Sequence, residues 1–127
     1  MRRTASSGSP LEPDIGFSRA CRIGNVICVS GTAPIDAKGE TAHVGDVYRQ
    51  TRRCLEISAQ AIVDCGGELR HVIRTRIMLV DIRNWREAAR AHGEYFADLR
   101  PACTFVEVKG FILPEWLVET ELDCVVE

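Results

Sequence analysis

No stretch of this sequence is apolar for long enough to cross a bilayer, and no block of like charge runs along it. The 16 basic and 18 acidic residues nearly cancel, leaving a net charge of −2, and the basic ones are dispersed. That balance argues against a general affinity for nucleic acid or anionic membrane, both of which need a basic stripe. Histidine is scarce: His43, His71 and His92 are too scattered for a His-x-x-x-His pair, and no two cysteines stand at Cys-x-x-Cys spacing, so a metal is not expected. Arg2-Arg3 is followed by Thr4-Ala5-Ser6-Ser7-Gly8-Ser9-Pro10 rather than an apolar run. A secretory signal is therefore not expected, and the expected location is cytoplasmic. The six cysteines are spread through mostly apolar segments, which suits reduced thiols better than a disulfide framework.

What is present is one domain's worth of chain, 127 residues that are 46% hydrophobic and 27% charged. Residues 1–13, polar with two prolines, are expected to form a flexible N-terminal arm without secondary structure, and residues 14–127 a single domain. Ile15 to Arg22 and Asn25 to Gly31 read as strands joined by a glycine-containing turn, hence an antiparallel hairpin. From Val44 the apolar residues recur at three and four positions, through Val47, Thr51, Cys54, Leu55, Ser58, Ala61 and Ile62, to a stop at Gly66-Gly67. This spacing predicts a long amphipathic helix. His71 to Ile82 predicts a strand with Arg74, Arg76 and Met78 on one side and Ile73, Thr75, Ile77 and Leu79 on the other. A second helix follows, with Trp85, Ala88, Ala89, His92, Tyr95, Phe96 and Leu99 as its stripe, ended by Pro101.

Two alternating segments close the chain. In Leu117 to Val126, the residues Val118, Thr120, Leu122, Cys124 and Val126 share one side, and Glu119, Glu121 and Asp123 the other. In Arg100 to Val108, alternation puts Cys103, Phe105 and Glu107 together, and these are expected to join the carboxylates and the arginines on one face. The order β-β-α-β-α-β-β gives an α+β fold whose two helices cover one face of a mixed sheet and leave the other bare. That bare face reads as an assembly surface holding a polar site.

The sequence resembles the Rid family, the reactive intermediate deaminases also called the YjgF family. The resemblance is carried by Gly16-Phe17-Ser18, Val29-Ser30-Gly31-Thr32-Ala33-Pro34, Gln50-Thr51, Arg74-Thr75-Arg76 with Asp81, Phe96 before Arg100-Pro101-Ala102, and Val118-Glu119-Thr120-Glu121. It implies a chorismate-mutase-like fold of the bacillus type, a homotrimer, a small-molecule substrate in the clefts between subunits, and no cofactor. Family enzymes of the best-known type hydrolyse enamines and imines such as 2-aminoacrylate to a 2-keto acid and ammonia. Their arginine after Pro-Ala grips the substrate carboxylate, and here that position is Cys103. Phe17 stands where they have a tyrosine, Ala89 where they have an asparagine, and Glu119 where they have the glutamate that positions water.

The candidate catalytic residue is thus Glu119, and the candidate substrate-binding residues are Phe17, Ser30, Gly31, Arg76, Cys103 and Phe105, with Arg74 or Arg76 as replacement cation. Plainer roles compete: an intersubunit ion pair for Glu119, space-filling for Cys103, packing for His92. Three functions follow. They are a deaminase of small enamines or imines with weak or altered activity, a non-enzymatic metabolite-binding or chaperone-like trimer, and, ranked last on charge, an endoribonuclease or translation inhibitor.

Overall fold

The computed structural model describes residues 1–127. Six strands form one sheet: β1 (Arg2–Ala5), β2 (Ala20–Ile23), β3 (Val26–Thr32), β4 (Val72–Leu79), β5 (Ala102–Glu107) and β6 (Val118–Val125). Their order across the sheet is β1-β2-β3-β6-β4-β5, with every neighbouring pair antiparallel except β4 and β5. A short helix α1 (Leu11–Ile15) precedes β2, and the two main helices are α2 (Val47–Asp64) and α3 (Trp85–Phe96). The α+β architecture with a mixed sheet and two main helices is the one the alternation and periodicity predict.

Helix α2 begins three residues later than its apolar pattern because the carboxylate of Asp46 caps it, accepting from Arg49 N at 2.9 Å. Its buried stripe, Thr51, Cys54, Leu55, Ser58, Ala61 and Ile62, follows the predicted spacing. Gly66, at φ 81°, ends the helix, and Gly67 lets it pack against the sheet, since a Cβ there would stand 2.7 Å from Ile27 Cδ1. Ile27, Leu55, Ile62, Phe96, Leu122 and Cys124 anchor the larger core, and Cys54, Ile77, Leu79, Ala88 and Val118 the smaller.

Four expectations need correction. Residues 1–13 do carry structure: β1 pairs with β2, and Leu11–Ile15 form α1, which Gly16 ends in the left-handed region at φ 91° with its N–H on Glu12 O. The helix takes Ile15 out of the first predicted strand, so β2 starts only at Ala20. In β4 a register irregularity between Val72 and Arg74 turns Val72 inward and leaves Ile73 exposed. Trp85, at the start of α3, and Leu99, beyond its end at Phe96, stand exposed, leaving Ala88, Ala91 and Phe96 as the buried residues of the helix.

The fourth correction concerns the bare face. Cys103 lies opposite Thr75, Phe105 opposite Ile77 and Glu107 opposite Leu79, residues that face the helices. Phe105 packs against the smaller core and lies 6.4 Å from the ring of His92. The face away from the helices instead carries Arg74, Arg76 and Met78 beside Asp123, Glu121 and Glu119, with Ala102, Thr104 and Val106 continuing it on β5. Within β5 and β6, alternation separates the two sides correctly. The phase of β5 against β4 is set by pairing, which alternation cannot supply.

Candidate active site

Gly16 stops α1 and redirects the chain, so Phe17 and Arg19 follow directly toward the far end of β3. Arg19 is a guanidinium only 5% exposed. Burial lowers its pKa, and the Glu12 and Glu119 carboxylates oppose that shift. Its Nη1 donates to Gly31 O at 2.7 Å and to Thr32 Oγ1 at 3.2 Å, its Nε donates to Ser7 Oγ at 3.1 Å, and its Nη2 stands 3.7 Å from Glu12 Oε2. Ser7 Oγ donates in turn to Glu12 Oε2 at 2.8 Å. A buried cation is tolerated because its donors are used and a carboxylate is close. The network pins the N-terminal segment to the end of β3.

At that end, β3 steps out of register with β6 between Val29 and Thr32, placing Ser30 and Gly31 in the irregularity. Ser30 Oγ donates to Ser18 O at 2.6 Å, which commits the hydroxyl to the backbone. Gly31 faces Glu119 closely: a Cβ at Gly31 would lie 3.1 Å from Glu119 Oε1. Burial raises the pKa of Glu119, the guanidinium of Arg19 pulls it down, and Glu121 pushes it further up, with a net upward shift.

Gly31 and Glu119 line an open cavity of about 170 Å³, together with Phe17, Arg19 and a group of apolar side chains from α1, α2 and the segment before β6. Arg19 and Glu119 are its only charged lining residues. That segment is held by Gln50, fully buried, whose Nε2 donates to Glu115 O at 3.0 Å and whose Oε1 accepts from Leu117 N at 3.0 Å. A carboxylate with a raised pKa above a cavity, beside the half-buried backbone of Gly31, can accept a proton from a water molecule and direct it at a bound electrophile.

Of the residues proposed from sequence, the structure brings Phe17, Gly31 and Glu119 together at this cavity. Ser30 sits beside it with its hydroxyl bonded to Ser18 O. Arg76 is ion-paired with Glu121, and Arg74 lies 4.0 Å from Asp123. Cys103 and Phe105 lie on β5, at the opposite edge of the sheet from β1, and on the helix side. Within one chain they do not meet Glu119. Sequence reasoning missed Arg19 because a lone charge inside the predicted strand Ile15 to Arg22 reads as solvated. The sole local signal was Glu12, an acid seven residues earlier, across a turn that α1 makes.

Comparison with known proteins identifies relatives across nearly the whole chain. The family model described as Endoribonuclease L-PSP matches residues 8–126. An uncharacterized protein of Streptomyces coelicolor is 38% identical over 122 residues, covering 95% of this chain and 90% of its own length. The 3-aminoacrylate deaminase RutC of Acinetobacter baylyi is 34% identical over 110 residues, or 87% of this chain and 84% of that protein. The crystal structure of Rv2704 from Mycobacterium tuberculosis, a member of the YjgF/YER057c/UK114 family, superposes with a TM-score of 0.90 at 39% identity and covers 99% of this chain and 100% of that one.

Proposed function

This chain belongs to the endoribonuclease L-PSP family, the group that includes the YjgF and Rid proteins, and on that premise we propose that it is a hydrolytic deaminase of small enamines and imines. The observation that carries the reading is Glu119, a carboxylate with its pKa raised by burial, held over a cavity against the backbone of Gly31. Glu119 takes a proton from water while the water oxygen bonds to the imine carbon and the nitrogen gains a proton. In the resulting carbinolamine the protonated Glu119 returns its proton to the amino nitrogen, and the hydroxyl proton goes back to the solvent that protonated the nitrogen first. The carbon–nitrogen bond then breaks to release ammonia and a ketone or a 2-keto acid; an enamine enters as its imine tautomer. Every atom is accounted for by imine and water, and no redox step occurs. The relative named as a 3-aminoacrylate deaminase supports this reaction class.

The reading includes a homotrimer. The bare sheet face carries paired charges among apolar side chains, with Ile23, Val26 and Val106 all more than one-third exposed in the single chain. Packing of that face against further copies would bury them, and a neighbouring copy is the route by which the exposed Cys103 would reach a cleft containing Glu119, whereas Phe105 packs in the smaller core of its own chain. In that cleft Cys103 takes the place at which related enzymes carry a carboxylate-binding arginine, so activity on 2-aminoacrylate is weak. The endoribonuclease reading has less support, because a net charge of −2 without a basic stripe gives phosphate backbones little to bind.

The test is ammonia release from imines generated in place by an amino-acid oxidase, with Glu119→Gln as the control. Release above the spontaneous rate that disappears in Glu119→Gln is expected. Release equal to the spontaneous rate for every imine in the panel would sink the enzymatic reading and leave a metabolite-binding trimer.

A further inference from the structure

The cavity beside Glu119 has a chemical character that hydrolysis of a small enamine does not require. Phe17, Ile35, Ile57 and Trp116 form its walls, and Ile15 and Ile112 stand at it with 64% and 66% of their surfaces exposed. Four β-branched side chains and two aromatic ones converge on a space of about 170 Å³. An engineered apolar cavity of roughly 150 Å³ accepts one benzene ring, so this space suits a group of that size.

The one cation at the cavity is unsuited to gripping a carboxylate. Recognition of a carboxylate by arginine uses two parallel N–H donors of the fork. Arg19 already spends Nε on Ser7 Oγ and Nη1 on Gly31 O and Thr32 Oγ1, and Nη2 lies on the side of Glu12. The guanidinium therefore presents no free fork, and Glu119, the other charged lining residue, repels an anion.

We infer that this cavity is a subsite for one apolar substituent, and that the imine this protein takes carries an aromatic or branched aliphatic group next to its reacting carbon. The inference rests on the proposed deamination, since it assigns the substrate class of that same site. It makes Ile15, Ile57 and Ile112 specificity-determining residues. The isoleucines at 15 and 112 are exposed without ligand and lose that exposure when it binds, which is where the selectivity originates.

Binding of stable ketone products separates this inference from the chemistry. Phenylacetone, acetone and pyruvate are titrated into 15N-labelled protein, with Ile112→Ser and Ile15→Ser as variants that replace exposed side chains and leave the core untouched. Phenylacetone should shift the amides of Gly31 and Ile57 and bind at least about ten-fold more tightly than acetone or pyruvate. Each serine variant should lose a large part of that preference, read as the ratio of phenylacetone to acetone affinity. Pyruvate binding as tightly as phenylacetone, or a preference unchanged in both variants, would overturn the subsite. Selective phenylacetone binding without ammonia release from the matching imine would support the subsite and overturn the deaminase reading instead.

Discussion

Arg76 and Glu121 stand directly opposite each other in the β4–β6 ladder and form an ion pair on the face that no helix covers. Both side chains are more than one-third exposed in the single chain. A pair left in water contributes about 0–1 kcal/mol, whereas removing one partner of a pair covered by protein costs about 3–5 kcal/mol. Under the trimer proposal Arg76→Ala should therefore lower stability by about 3 kcal/mol in denaturant titrations and weaken assembly in light scattering. A loss below about 1 kcal/mol with unchanged mass would mean that the face is open to solvent.

Glu119 gives a pH signature. Its pKa in the folded chain lies above the ordinary 4.5, principally through burial, so ionising it costs folding free energy. The sign follows directly: below pH 4.5 the carboxyl is protonated in both states and there is no penalty, and stability is lost as pH rises through the folded value. Glu119→Gln should accordingly melt higher than the parent at neutral pH, with the difference vanishing toward pH 4. Parent activity should rise with pH through a midpoint above 4.5, because the ionised form is the base. A melting temperature lowered by the substitution at neutral pH would show that the ionised carboxylate stabilises the fold.

Gly31→Ala tests the geometry rather than the charge. The new Cβ would come within 3.1 Å of Glu119 Oε1, closer than the carboxylate accommodates without shifting by a few tenths of an ångström. The Cβ presses on a side chain at the cavity surface, so the fold should survive. A misplaced general base costs on the order of ten- to a hundred-fold in rate. Circular dichroism should match the parent while ammonia release falls by that factor. Full activity in Gly31→Ala would show that the Glu119 position is not critical.

The proposed loss of the carboxylate anchor makes Cys103→Arg a gain-of-function test. Cys103 is exposed in the single chain, so the larger side chain meets no core. Turnover of carboxylate-bearing imines should rise by about one and a half to three and a half decades, the scale of about 2–5 kcal/mol for a charged contact. Turnover that stays flat, with the trimer intact, would place the carboxylate elsewhere.

How far the sequence could be read follows from which interactions are local. The stripe of α2 and the alternation of β6 are patterns within one element, and both stand as predicted. The phase of β5 against β4 depends on pairing between residues about 28 apart, so Cys103 and Phe105 were assigned to the wrong face. Polar composition in the first 13 residues concealed Glu12 and Ser7, whose purpose is to satisfy Arg19 and whose burial only the folded chain reveals. Phe17, Gly31 and Glu119 were legible because family resemblance carries them, and the structure draws all three to one cavity.

Gln50 has the longest reach. Its amide acts as a borrowed piece of backbone, bonded to Glu115 O and Leu117 N, so the point where the chain re-enters β6 is fixed from within α2. Residues 109–114 thereby run between two secured ends, Val108 bonded to Leu79 O on one side and the Gln50 bracket on the other. Ile112 sits in that span, free of the bracket, and Glu119 lies beyond it. Under the subsite proposal, a substitution confined to that span should change the wall that Ile112 supplies while the Gln50 bracket keeps the start of β6, and with it the carboxylate, in place.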